Sequence, residues 1–162
     1  MADKVVVIFV EGDTEEEFYS NMLSILRNKL EGQFSCNVII KNVKGVANYK
    51  NKVGRIFEKK IKVDYPVGHY IVLLCYDSDV FDLAQKPHIN WDDVIKDLKR
   101  RGANEVYKVL ANKSIEDWFL YDIHGILKYL RLPKDTKIPN GNGVKRLQLI
   151  FRKGNKTYIK GQ

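Results

Sequence analysis

Two cysteines in 162 residues, Cys36 and Cys75, are too few for a disulfide framework, and both lie in apolar, strand-like runs. They read as buried free thiols in a reducing cytoplasm. Long apolar runs are missing too. None approaches the roughly 20 residues of a membrane-spanning helix, and the chain enters a strand without a basic-then-apolar leader, so a cytoplasmic protein with no membrane partner is expected. The histidines are few: His69, His88 and His124 stand in unlike contexts without a second histidine at metal spacing, which argues against a zinc site. A glycine-rich phosphate loop of the Walker type is absent. Ser78 has acids on either side and no base partner, which disfavours a serine nucleophile.

What is present is one domain's worth of core. With 44% hydrophobic residues the chain can bury enough apolar surface to fold alone, and strand-like segments alternate with helix-like ones, as in a doubly wound α/β structure. Strands are expected near residues 4–10, 36–42, 69–76 and 104–110. Between them Phe18, Met22, Leu26 and Leu30 fall at helical spacing, as do Val46, Tyr49, Val53, Ile56 and Phe57, and then Trp91, Val94, Ile95 and Leu98, closed by Arg101-Gly102. A fourth helix should start at Ser114 and run through Leu130, ending before Pro133. Asn140-Gly141-Asn142-Gly143 is expected as a flexible turn leading into a basic tail. The main unit is then 1–132, with 133–162 as a basic extension packed on it.

Acids gather where these strands end. Glu11 follows Val5-Val6-Val7-Ile8-Phe9-Val10, while Asp77 and Asp79 follow Tyr70-Ile71-Val72-Leu73-Leu74-Cys75-Tyr76. If both runs are parallel strands of one sheet, their carboxyl ends share an edge and the three acids converge. Carboxylates so placed repel one another, and a hard, oxygen-seeking cation such as Mg²⁺, with Mn²⁺ as substitute, keeps them ionised. Thr14 and Glu17 have capping-box spacing, which would start a helix at Thr14 and put Glu15 in its first turn near Glu11. Dipole complementation accounts for Glu16 and Glu17. Ser114 and Asp117 form a second such pair, leaving Glu116 early in a helix near the same edge.

Positive charge is arranged as if for a polyanion. The net charge is +8, and residues 143–162 carry Lys145, Arg146, Arg152, Lys153, Lys156 and Lys160 without one acid. The mixture of cations, glycine and an aromatic in Arg152-Lys153-Gly154-Asn155-Lys156-Thr157-Tyr158 suits phosphate tracking and base stacking. Lys50, Lys52, Arg55, Lys59 and Lys60, on the second helix, read as a solvated face.

Glu11-Gly12-Asp13-Thr14-Glu15, Asp77-Ser78-Asp79 and Ile115-Glu116-Asp117-Trp118-Phe119-Leu120 together resemble the TOPRIM domain of topoisomerases, primases and OLD-type nucleases, most of all its small stand-alone members. The resemblance covers roughly residues 4–130. It implies a TOPRIM-like, Rossmann-like fold, with a mainly parallel sheet of about four strands and helices on both faces. It also implies a magnesium-dependent nuclease of DNA or RNA, serving phage defence, repair or RNA processing. Two ions about 4 Å apart would suit the acid count, with Glu11 between them, Asp77 and Asp79 on one, and Glu15 and Glu116 on the other. Lys153 or Lys156 would be the transition-state cation. Without the ATPase domain of OLD-type enzymes, any ATP coupling would need a separate protein, and the chain looks like a short member or one lacking terminal helices. Two other readings stay open: an enzyme on a small phosphorylated or nucleotide-sugar substrate, and a non-catalytic nucleic-acid-binding module.

Overall fold

In the computed structural model, which describes residues 3–30, 32–33, 35–78 and 89–160, the four apolar runs form one sheet. Strands β1 (Lys4–Val10), β2 (Asn37–Asn42), β3 (His69–Asp77) and β4 (Glu105–Ala111) pair in the order β2-β1-β3-β4, every pair parallel. Parallel strands need crossovers, and helices on both faces supply them. That is why β1 and β3 read as nearly unbroken hydrophobic runs rather than alternating ones. Val5, Val7 and Phe9 of β1 pack with Val72 and Leu74 of β3 on one face, where α2 (Tyr49–Ile56) and α4 (Trp91–Arg100) contribute Tyr49, Val53, Val94 and Leu98. On the other face Ile8, Val10 and Cys75 meet Tyr19 and Leu23 of α1 (Asp13–Lys29). The α/β architecture, the four strands and the adjacency of the first and third are as the sequence implies.

Several details differ. Helix α1 begins one residue early, at Asp13, with Gly12 as an N-cap that makes no side-chain hydrogen bond. The Thr14–Glu17 capping box is therefore not formed. Thr14 is buried inside the first turn instead. Helix α2 continues through a π-helical stretch, Phe57–Ile61, into a last turn, α3 (Lys62–Asp64), a widening that buries both Phe57 and Ile61. The expected fourth helix is three pieces: α5 (Ile115–Phe119), a 3-10 turn at Leu120–Asp122 and α6 (Ile123–Tyr129). Asp122 makes the break by accepting a hydrogen bond from Gly125 N at 3.0 Å, capping a new helix. Cys36 is only half-buried, whereas Cys75 is buried as expected.

The basic tail is not a tail. Asn142 accepts from Lys145 N at 3.0 Å and starts α7 (Gly143–Lys153), so the turn expected to be flexible is a helix cap. Leu147 and Ile150 of α7 join Leu120, Leu127 and Leu130 in a small core of their own. Gly143 lets α7 meet α5: a Cβ there would lie 2.7 Å from Asp117 N and 2.9 Å from the Glu116 carbonyl carbon, both backbone atoms that cannot step aside. Phe18 of α1, 5.5 Å from Phe119 between ring centroids, ties this small core to the sheet layer. No helix among the described residues is long and apolar enough to cross a membrane.

At the carboxyl end of the sheet, the β1–β3 ladder stops at the pair Phe9 and Leu74. Beyond it, the buried Tyr49 hydroxyl lies between the carbonyl oxygens of Phe9, at 3.0 Å, and Cys75. Its one proton serves two acceptors that the separating strands leave open. Tyr49→Phe should cost about 1–3 kcal/mol, the penalty of a buried polar group losing its partner. Denaturant unfolding checks it; a loss well under 1 kcal/mol would show that water already serves those carbonyls.

Candidate metal centre

Three carboxylates meet at the edge where β1 and β3 end. Glu11 is the first residue past β1, Asp77 is the last of β3, and Glu15 comes from the first turn of α1. One oxygen from each lies within 4.8 Å of the other two. Glu11 is half-buried, while Glu15 and Asp77 are each only 4% exposed. The backbone is fixed on either side: Val43 N donates to the Val10 carbonyl at 2.9 Å and Gly45 N to that of Glu11 at 2.7 Å. On the β3 side, Ser78 N donates to the Ala111 carbonyl at 3.0 Å, and Lys113 N to Ser78 Oγ at 2.7 Å.

Gly12 matters here for space rather than for its backbone, which is extended and open to any residue. A Cβ at position 12 would press to 3.0 Å on Glu15 Oε2, the oxygen turned back over the loop. Asp13 and Glu16 face away and are held by Asn42, which donates to them at 2.8 and 3.1 Å, with Lys44 paired to Asp13. The second strand, which ends without an acid, thus orders the neighbouring acids of α1.

Glu116 stands beside the trio rather than in it. It is fully buried at the start of α5, whose cap, Ser114, accepts from Asp117 N at 3.3 Å as the sequence implies. Its Oε1 lies 3.4 Å from the Tyr158 hydroxyl, which donates to it, and 3.5 Å from Lys160 Nζ. Burial, with Glu116 alongside, raises the Tyr158 pKa, so the phenol keeps its proton and remains a donor. Thr14 is close enough to perturb that phenol, although no well-formed hydrogen bond joins them. Burial works against the charge on Lys160, but the attraction of Glu116, Glu15 and Asp77 outweighs it and the pKa rises. Lys160 is therefore a permanent cation facing the carboxylates.

The other cations lie elsewhere. Lys153 Nζ donates to the Lys137 carbonyl at 2.8 Å, and Lys156 Nζ sits 3.9 Å over the Tyr129 ring, so neither candidate for the transition-state role is among the acids. Lys145 and Arg152 are exposed on α7 and Arg146 is half-buried there. Lys52 donates to the Val43 carbonyl. Of the histidines, His69 pairs with Glu105 at 3.5 Å and His124 is exposed, both away from the acids. Asp79 and His88 lie outside the described residues. The structure thus groups Glu15 with Glu11 and Asp77, where the sequence pairs it with Glu116. The residues that sequence reasoning missed are Tyr158 as a partner of Glu116 and Lys160 as the cation at the site. Their spacing carried a signal: in an extended segment, residues two apart face the same way, and here both reach the same oxygen.

A divalent cation fits this donor set. Glu15 Oε2 and Glu116 Oε2 are buried oxygens that accept no hydrogen bond, and all the ligands on offer are hard carboxylates, as Mg²⁺ and Mn²⁺ prefer. No family model matches the chain, and no curated protein compared with it is similar. The site therefore stands on its geometry.

Burial, with Glu116 and Asp13 nearby, raises the Glu15 pKa above its ordinary 4.5, against the pull of its backbone hydrogen bond and Lys160. The folded state thus holds this proton to higher pH than the unfolded chain does, and stability falls as pH climbs from about 4.5 through the raised value. In metal-free protein, Glu15→Gln should therefore gain in Tm relative to wild type as pH rises toward neutrality, and Mg²⁺ should shrink the gain. Melting curves across pH with and without chelator check this; a wild-type-to-variant gap that is flat with pH would contradict it.

Proposed function

We propose that this protein is a metal-dependent phosphodiesterase of TOPRIM type that cleaves DNA or RNA. One observation carries the reading: Glu11, Glu15 and Asp77 come from two adjacent parallel strands and a helix start to within 4.8 Å of one another, on the edge where open α/β sheets bind ligands. A resident divalent cation would be held by these three acids. When bound, Mg²⁺ supplies Lewis-acid polarisation of a phosphate oxygen and acidifies water.

The chain's own groups do the rest. Lys160 offers a fixed positive charge beside the acids, placed to offset charge on a phosphoryl group. Tyr158 holds one oxygen of Glu116, leaving Oε2 turned elsewhere as a further ligand or a proton acceptor. Net charge of +8, with the basic helix α7 packed against α5, favours a long polyanion over a small metabolite. In this reading the enzyme works in the cytoplasm, and any ATP coupling comes from a separate protein.

The test is metal-dependent cleavage of a mixed panel of single- and double-stranded DNA and RNA, run beside thermal melts. Mg²⁺ or Mn²⁺ should raise the wild-type Tm, because an ion bound only by the folded state stabilises it, by about 2.7 kcal/mol at a hundredfold excess over Kd. Glu11→Gln should abolish that rise and lower cleavage by orders of magnitude, with the metal-free fold intact. A wild-type metal response in this variant would remove the site. Metal binding without cleavage of any nucleic acid would remove the nuclease reading alone.

A further inference from the structure

One surface cavity is lined by residues that also touch Glu116, beside the carboxylate trio. It lies between α7 and the segment that follows, has a volume of about 270 Å³, and is lined by Gln148, Arg152, Thr157, Tyr158, Ile159 and Lys160. Two of these residues, Tyr158 and Lys160, also reach Glu116 at 3.4 and 3.5 Å. The cavity and Glu116 therefore share one short stretch of chain.

The lining is cationic and without an acid. Arg152 is exposed, and its guanidinium makes no hydrogen bond or ion pair with any described residue, so its donors point into solvent. Three larger cavities differ. The one between α2 and α4, about 420 Å³, sets Lys50, Lys96 and Arg100 against Asp93 and Asp97, so acids in its own lining already offset most of its positive charge. Two others, of about 440 Å³ around Lys128 and Arg131 and about 280 Å³ around Arg146, have no lining residue that reaches Glu116 by a hydrogen bond or ion pair. Size also discriminates. At about 270 Å³ the cavity beside Lys160 falls below the roughly 300–1,000 Å³ of sites that enclose a whole small molecule, which suits one anionic group better than a nucleotide.

We propose that this cavity is a phosphate subsite, holding a phosphodiester next to the scissile one on the same nucleic-acid strand. Arg152 is its anchor, since a guanidinium forks onto two phosphate oxygens, and Gln148 and Thr157 add neutral donors. Lys160 stands between the two phosphates, its charge shared by the subsite and Glu116. The subsite rests on the phosphodiesterase reading and sharpens it: the preferred substrate carries at least two phosphates, and a diester with a single phosphate leaves Arg152 without a partner.

Calorimetric binding with Ca²⁺ in place of Mg²⁺, to hold binding apart from turnover, compares three short DNAs: d(TpT), d(TpTpT) and d(pTpT). Wild type should bind d(TpTpT) about ten- to a hundredfold more tightly than d(TpT), the worth of a charge-assisted contact. Arg152→Gln should erase that preference, Thr157→Val should reduce it, and Arg152→Lys should restore part of it. Equal affinity of wild type for d(TpT) and d(TpTpT), or binding of neither, overturns the subsite, as does a preference that survives in Arg152→Gln. A gain for d(pTpT) alone would make it a strand-end site and overturn the internal phosphate. Because the readout is binding, an Arg152-dependent preference in a protein that cleaves nothing would sink the nuclease reading and leave the subsite. Metal-dependent cleavage without that preference would do the reverse.

Discussion

Repulsion between like charges is the constraint to which the rest of this structure answers. At 4.8 Å two ionised carboxylates oppose each other by about 3.5 kcal/mol at an effective dielectric of about 20, and desolvation of Glu15, Asp77 and Glu116 adds to the cost. Glu15, desolvated and with its pKa raised beside other acids at a sheet edge, marks a candidate functional site. Lys160 is a counter-charge at this edge, in contact with Glu116.

The framework answers this strain by being stiff where the acids attach. Neighbouring β1 and β3 fix the direction of Glu11 and Asp77 through a parallel ladder buried on both faces. Tyr49 closes the gap where that ladder stops, and the Gly45 N–H holds the Glu11 carbonyl. Hydrogen bonds around Asn42, Ser78 and Ser114 order the three loops that carry acids. Function sits on the loops and rigidity beneath them, the division expected of a scaffold that presents a site.

Strands and their parallel order could be read from the sequence because the physics behind them is local: β-branched runs without polar alternation, separated by helical periodicity, leave few alternatives. Glu11, Glu15, Asp77 and Glu116 were visible for the same reason, each following a strand or opening a helix. Finer features depended on distant partners. Thr14 fits a cap by spacing, yet the helix starts at Asp13 and Thr14 lies buried near Tyr158 instead. Asp122 interrupts an apolar helical stripe with a single hydrogen bond, which periodicity does not reveal. In the C-terminal stretch, composition suggested a basic extension packed on the main unit but not its helix, because the helix-face spacing of Leu147 and Ile150 was outweighed by their charged neighbours. Lys160 could not be chosen over Lys153 or Lys156 because charge alone does not say which lysine the chain folds back.

The return of Tyr158 and Lys160 to Glu116 has a consequence for how the protein comes into being. The acids of β1 and β3 are made first, and the cation at their edge is joined to the chain 83 residues after Asp77. During synthesis the partly made protein can therefore form its sheet and gather its carboxylates while lacking the basic wall on α7 and its counter-charge. Contacts between such distant parts of a chain are also the slowest to close. A nascent chain still short of Lys160 therefore carries the buried Glu116 without the cation that contacts it, and must hold that charge by other means until translation has passed that residue.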